Sequence, residues 1–144
     1  MAPLSSPSRR RSSLLSFTTM KKHEIIAVDF DGTIVLNRYP EIGRPCPHAF
    51  ETLKKLKDMG CVLILWTVRC GKELDDAVQF CKDHGLEFDG INENPNQEFL
   101  GSVKVCADTY IDDKSFGCPI LKQFNKELGC FDEYVDWQKI NDVL

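Results

Sequence analysis

Three apolar runs in this chain stop abruptly at polar residues, and that pattern restricts the fold more than any other feature. Ile25-Ile26-Ala27-Val28 stops at Asp29, Cys61–Trp66 stops at Thr67, and the segment 105–111 stops at Asp112-Asp113. Amphipathic segments lie between them. Phe50, Leu53 and Leu56 form one helical stripe, closed by Gly60, and Leu74, Ala77, Val78 and Cys81 form another, closed by Gly85. Strands alternating with helices predict a parallel sheet with right-handed crossovers. Ligands bind such sheets beyond the carboxyl ends of the strands, which is where all three polar stops would gather.

The expected elements follow in order. Strand one covers about 24–30, and 32–46 is a loop with Tyr39-Pro40, Gly43 and Pro45. A helix spans about 47–59 with Pro47 in its first turn, and strand two is Cys61–Trp66. A second helix spans about 72–84, with Asp75 and Asp76 suited to its N-terminal turns. A short strand is expected near Phe88–Ile91, then a loop at Asn92–Gln97, then strand four at about 105–111. A last helix near 119–128 would carry Leu121, Phe124 and Leu128, and the tail to Leu144 has room for one more short strand or helix.

A chain of 144 residues, 42% hydrophobic, has the size of one domain with a real core. Residues 23–144 are read as that domain. Residues 1–22 are rich in Ser, Arg and Pro and contain no acid; they are expected to be a disordered leader or an extraneous segment ahead of a natural start at Met20. Five of the 18 basic residues precede the first acid, Glu24, so the remainder sets 13 basic against 22 acidic residues, a net of −9. An acidic body argues against a broad nucleic-acid surface, while leaving room for a basic pocket that takes one phosphate.

The seven cysteines include no C-x-x-C pair, and Cys61, Cys81 and Cys106 sit inside apolar patterns. They are expected to be buried free thiols of a reducing, cytoplasmic compartment, with Cys70 exposed and incidental. The three histidines do not cluster with cysteines at zinc-ligand spacing. No apolar stretch is long enough to span a membrane, and no h-region suits secretion.

Asp29 and Asp31 stand two apart directly behind Ile-Ile-Ala-Val. On a strand, residues i and i+2 point to one side, so the pair converges if the strand holds that far, although Gly32 can bend the chain. Convergent carboxylates repel, raise each other's pKa, or hold a hard cation such as Mg²⁺. An Asp-Gly turn explains Asp31-Gly32 but not the charge at Asp29. Asp112-Asp113 poses the same problem at the end of another strand.

Asp29-Phe30-Asp31-Gly32-Thr33 resembles the first motif of the haloacid dehalogenase superfamily, which consists mostly of Mg²⁺-dependent phosphatases working through an aspartyl-phosphate. Thr67 is similar to the second motif, Lys104 to the third, with Lys114 as its alternative, and Asp112-Asp113 to the fourth in its Asp-Asp form. The motifs occur in the family's order over residues 25–115, and Tyr39-Pro40-Glu41-Ile42-Gly43 resembles a loop of small cap-less bacterial members.

The resemblance implies a three-layer Rossmann-like α/β fold with a central parallel sheet and no cap domain. It implies a Mg²⁺-dependent phosphomonoester hydrolase. Asp29 would be the nucleophile, and Asp31 the general acid and base. The ion would be held by Asp29, Asp113 and the backbone carbonyl of Asp31, with Asp112 orienting Lys104 or a water on the ion; the roles of Asp112 and Asp113 are exchangeable. Thr67 and Lys104 would hold the phosphate, Arg69 would meet the substrate, and Thr33 would fix the loop after strand one. A cap-less site is open and suits a small phosphorylated molecule or a bulky phosphorylated substrate, or else needs an oligomer partner to close it.

Three alternatives compete with that reading. A phosphoacceptor module of receiver type uses the same residue types, but its acidic pair follows the first strand, whereas here the pair comes last. A polynucleotide 3′-phosphatase suits an open site but not an acidic body. A catalytically dead binding domain is disfavoured because every candidate catalytic residue is present.

Overall fold

The computed structural model describes residues 23–97 and 101–144, so the expectation for residues 1–22 lies outside the described residues. In chain order the elements are β1 (Ile25–Val28), β2 (Val35–Arg38), β3 (Glu41–Pro45), α1 (Ala49–Asp58), β4 (Val62–Leu65), α2 (Gly71–Asp83), β5 (Gly90–Ile91), β6 (Thr109–Ile111), β7 (Ile120–Asn125), β8 (Cys130–Val135) and α3 (Trp137–Asp142). The central sheet has four parallel strands in the order β5-β4-β1-β6.

That order fixes where each connection lies. The chain steps from β1 to β4 to β5 in one direction, and right-handed crossovers in one direction put both helices on the same face. Ala49, Leu53 and Leu56 of α1 and Ala77 and Cys81 of α2 accordingly pack with Ile26, Val28, Leu63 and Leu65. To reach β6 the chain must recross the sheet, and the same handedness sends it over the opposite face. There Val105, with Ala107 and Tyr110 beside it, packs against Ala27 and Ile64. β1 is therefore covered on both sides, which is why it reads as an unbroken apolar run.

The result is a mixed α/β, Rossmann-like fold whose third layer is thin. Among the described residues no helix lies between β5 and β6, so the third layer that the resemblance implies is reduced there to Val105 and its neighbours.

Two hairpins depart from the expected elements. Residues 32–46, expected as a loop, contain the antiparallel pair β2–β3, in which Asn37 faces Ile42 and Arg38 faces Glu41. A Cβ on Gly43 would stand 2.2 Å from the Leu36 carbonyl oxygen, so only glycine allows the two strands to close. The helix expected near 119–128 is instead the antiparallel pair β7–β8.

Leu121, Phe124 and Leu128 have helical spacing, but Asn125 and Gly129 build a turn that overrides it. The Leu128 N–H donates to Asn125 Oδ1 at 3.0 Å, and Gly129 has φ +68°. Phe124 then meets Phe131 across the pair, with ring centroids 5.2 Å apart. A two-pronged Arg38–Asp132 ion pair, at 2.9 and 3.0 Å, ties this hairpin to β2.

Smaller differences concern ends and burial. Strand one stops at Val28 rather than near residue 30, and strand four begins at Thr109 rather than near 105. The first helix begins at Ala49, after Pro47. Cys61 and Cys81 are buried and Cys70 is exposed as expected, but Cys106 is exposed too. Among the described residues no helix is long and apolar enough to cross a membrane.

Candidate functional site

The sheet brings its acids together at the carboxyl ends of β1 and β6. Val28 is in register with Ile111, and the Asp29 N–H donates to the Ile111 carbonyl at 2.9 Å, so Asp29 and Asp112 leave adjacent strands side by side. Carboxylate oxygens of Asp29, Asp112 and Asp113 all lie within 4.8 Å of one another, on partly buried side chains.

Gly32, with φ +82°, turns the chain beneath this group. A Cβ there would sit 2.3 Å from Asp113 Oδ2. Fully buried Thr33 then links the two strand ends. Its hydroxyl donates to Asp29 Oδ2 at 2.9 Å and accepts from the Asp113 N–H at 3.0 Å. The C-terminal segment supports this loop from behind, where the Trp137 indole N–H donates to the Thr33 carbonyl at 2.6 Å and the Val135 N–H to the Gly32 carbonyl at 3.1 Å.

Gly32→Ala should therefore damage the site and the fold together. The left-handed backbone alone costs a side chain roughly 1–2 kcal/mol. The added methyl must also push Asp113 out of the acid group. A lower melting temperature is the expected outcome, with weaker binding in calorimetry of any divalent cation that the acid group takes.

Three acids so close are electrostatically unbalanced. Burial pushes the Asp29 carboxyl up to about 8, with Asp112 adding to the rise and the Thr33 hydroxyl opposing it. Burial also raises Asp113, and Asp112 adds to this, while the hydrogen bond with Asp29 and the charge of Lys114 work the other way. Burial thus favours a proton within the Asp29–Asp113 pair when nothing else neutralises the group. A hard divalent cation with oxygen ligands is the chemistry that a cluster of this kind fits.

Asp31 does not join the acid group through its side chain. The strand ends at Val28, and the convergence expected of residues i and i+2 is lost. Its carboxylate instead meets Arg69, whose Nε donates to Oδ2 and whose Nη2 donates to Oδ1, both at 2.7 Å. Arg69, expected at the substrate, is fully buried and turned inward.

Thr67 lines a cavity of about 220 Å³ with Asp29, Trp66, Val68 and Asp112. Its N–H donates to Asn92 Oδ1 at 2.8 Å, and its hydroxyl accepts from the Arg69 N–H at 3.1 Å. Lys104 is exposed, and its ammonium rests over the Tyr110 ring at 5.1 Å from the centroid. The Lys114 ammonium lies 3.9 Å from Asp113 Oδ2 on a largely exposed side chain. A larger cavity of about 330 Å³ has Tyr110, Phe116, Ile140 and Leu144 among its walls and no acidic or basic side chain among the described residues that line it.

Sequence reasoning overlooked Asn92 and Trp137. An Asn directly after a strand end is a readable signal for the first. Trp137 acts on a residue more than a hundred positions away, which no local pattern reveals.

No protein-family model matches the chain, and no curated protein matches it. Among solved structures, the chain is similar to a conserved protein from Bacteroides thetaiotaomicron. The two are 43% identical with a TM-score of 0.66, over 81% of this chain and 85% of the other. That identity over most of both chains carries more than a shared topology: the chain belongs to the same family as this conserved Bacteroides protein.

Proposed function

We propose that the chain is a Mg²⁺-dependent phosphomonoester hydrolase of haloacid dehalogenase type, without a cap domain, acting through an aspartyl-phosphate on Asp29. The observation that supports this reading most is the acid group itself. Three carboxylates gather from two adjacent strand ends, with Asp29 and Asp113 linked by one buried threonine and Asp29 and Asp112 lining a cavity.

Asp29, Asp113 and Asp112 would hold the ion, with the Asp31 carbonyl as a further oxygen. When bound, it would supply charge neutralisation, returning Asp29 to its ionised form and offsetting the charge of the phosphate. An Asp29 carboxylate oxygen forms a bond to phosphorus as the ester P–O bond breaks, and the departing oxygen takes a proton from the Asp31 carboxyl. A water oxygen then bonds to phosphorus, the Asp29–phosphorus bond breaks, and Asp31 recovers a proton from that water. Inorganic phosphate and the alcohol leave.

The Thr67 hydroxyl and a lysine bind the phosphate oxygens, with Lys104 at the motif position and Lys114 nearer to the acids. Thr33 keeps Asp29 aligned for attack. The cavity beside Asp29 is bordered by exposed Val68, so a bulky phosphorylated substrate has room to extend from it.

Purified protein should release phosphate from a generic aryl phosphate in the presence of Mg²⁺ and stop when a chelator is added. Unchanged turnover in excess chelator would contradict the metal assignment. A lasting phospho-adduct without turnover would favour a receiver-type module instead.

A further inference from the structure

We propose that Arg69 is a positioning residue that fixes the Asp31 carboxylate and couples it to the turn of the β2–β3 hairpin. This rests on the role given above to Asp31.

Every nitrogen of the Arg69 guanidinium is engaged. Nε and Nη2 hold the two Asp31 oxygens at 2.7 Å. Nη2 also donates to the Glu41 carbonyl at 2.7 Å, and Nη1 donates to the Pro40 carbonyl at 3.1 Å and to the Glu73 carbonyl at 3.4 Å. Phe30 and Tyr39 lie on the guanidinium, with ring centroids 5.1 and 5.0 Å from its carbon. Three separate stretches of chain meet at one cation: the loop after β1, the hairpin turn and the first turn of α2.

The arrangement is too committed to meet a substrate and too specific to be replaced by a point charge. A bidentate guanidinium fixes both the distance and the plane of a carboxylate, which lysine cannot do. A carboxylate offers about four lone-pair sites, so the two bonds to Arg69 leave lone pairs on Asp31 that can carry the proton its proposed role transfers. With its side chain partly buried and Tyr39 more than half exposed, Asp31 sits between a fixed inner anchor and an open outer edge. A movement of the Tyr39–Glu41 turn therefore moves Asp31 with it.

The test is a cycle of Arg69→Lys and Asp31→Asn with an activated aryl phosphate and Mg²⁺, read as kcat, KM and intact mass. Misplacing a proton-transfer group by about an ångström costs roughly 10²-fold. Arg69→Lys should lower kcat by about that factor, leave KM within a few-fold, and leave a phosphoryl group on the chain as Asp31→Asn does. Adding Arg69→Lys to Asp31→Asn should cost nothing further.

Independent losses in the double variant, or a rise in KM alone, would overturn the proposal. If Arg69→Lys does not fold, Tyr39→Leu removes the exposed ring from the guanidinium. It should lower kcat in the same way by a few-fold, and wild-type kcat in that variant would count against the coupling. Absence of wild-type turnover with any phosphate would end the proposed function as well, whereas turnover with independent losses ends only the inference about Arg69.

Discussion

Asp29→Asn is expected to abolish turnover and to stabilise the metal-free protein. The substitution keeps the shape and the acceptor oxygen that the Thr33 hydroxyl binds at 2.9 Å. It removes the oxygen nucleophile of the proposed mechanism, and a nucleophile that works as part of a unit carries on the order of 10⁶ in kcat. It also removes a buried acid whose ionisation is opposed by burial and by Asp112. Relief of that conflict should raise the melting temperature at about pH 8 in the absence of divalent cations. Loss of activity through misfolding would lower it. The opposite signs of the two effects separate a damaged site from a damaged fold, and a lowered melting temperature would contradict the assignment.

Stability should also depend on pH in a direction set by the same acid. In the fold Asp29 keeps its proton up to about 8, against 3.8 for an ordinary Asp, and Asp113 is shifted the same way. Between those values the folded chain binds more protons than the unfolded chain, so metal-free stability falls as pH rises from about 4 to about 8. Under the proposed function Mg²⁺ would compete with those protons and bind the folded state. It should raise the melting temperature strongly at about pH 8 and weakly at about pH 5. A cation at a hundredfold excess over its Kd contributes about 2.7 kcal/mol. Melts at the two pH values, with Mg²⁺ and with chelator, check both signs. An equal Mg²⁺ effect at the two pH values would argue that the ion binds elsewhere.

The parts legible in the sequence are those governed by local pattern. The runs at Ile25–Val28 and Val62–Leu65 are buried strands, and the stripes through Leu53 and Ala77 are helices, because burial on a sheet dictates those periodicities directly. The gathering of Asp29 with Asp112 and Asp113 was legible from topology, since parallel strands deliver their ends to one edge.

What escaped depends on partners distant in sequence or on turns. Phe124 has helical spacing with Leu121, yet pairs with Phe131 once Asn125 and Gly129 reverse the chain. The position of Asp31 depended on whether the strand continued two residues past Val28. It did not, and Arg69 took the carboxylate, a pairing across 38 residues that alternation could not show. Val105 lies in an apolar pattern like a strand, but it packs on the face of the sheet with Ala27 and Ile64, and the strand itself begins only at Thr109.

The phosphoryl group that the proposed function places on Asp29 is the most direct object of measurement. Asp31→Asn keeps the nucleophile and the Asp31 carbonyl while losing proton transfer, a contribution of roughly 10²–10⁴ in rate. With an activated aryl phosphate, whose leaving group needs little protonation, its first step should outrun its second. Intact-mass measurement of that variant, mixed with the aryl phosphate and Mg²⁺, should show the gain of one phosphoryl group, mapped to Asp29 and absent from Asp29→Asn treated alike. The same adduct on the Asp29→Asn chain, or wild-type turnover by either variant, would contradict Asp29 as the nucleophile.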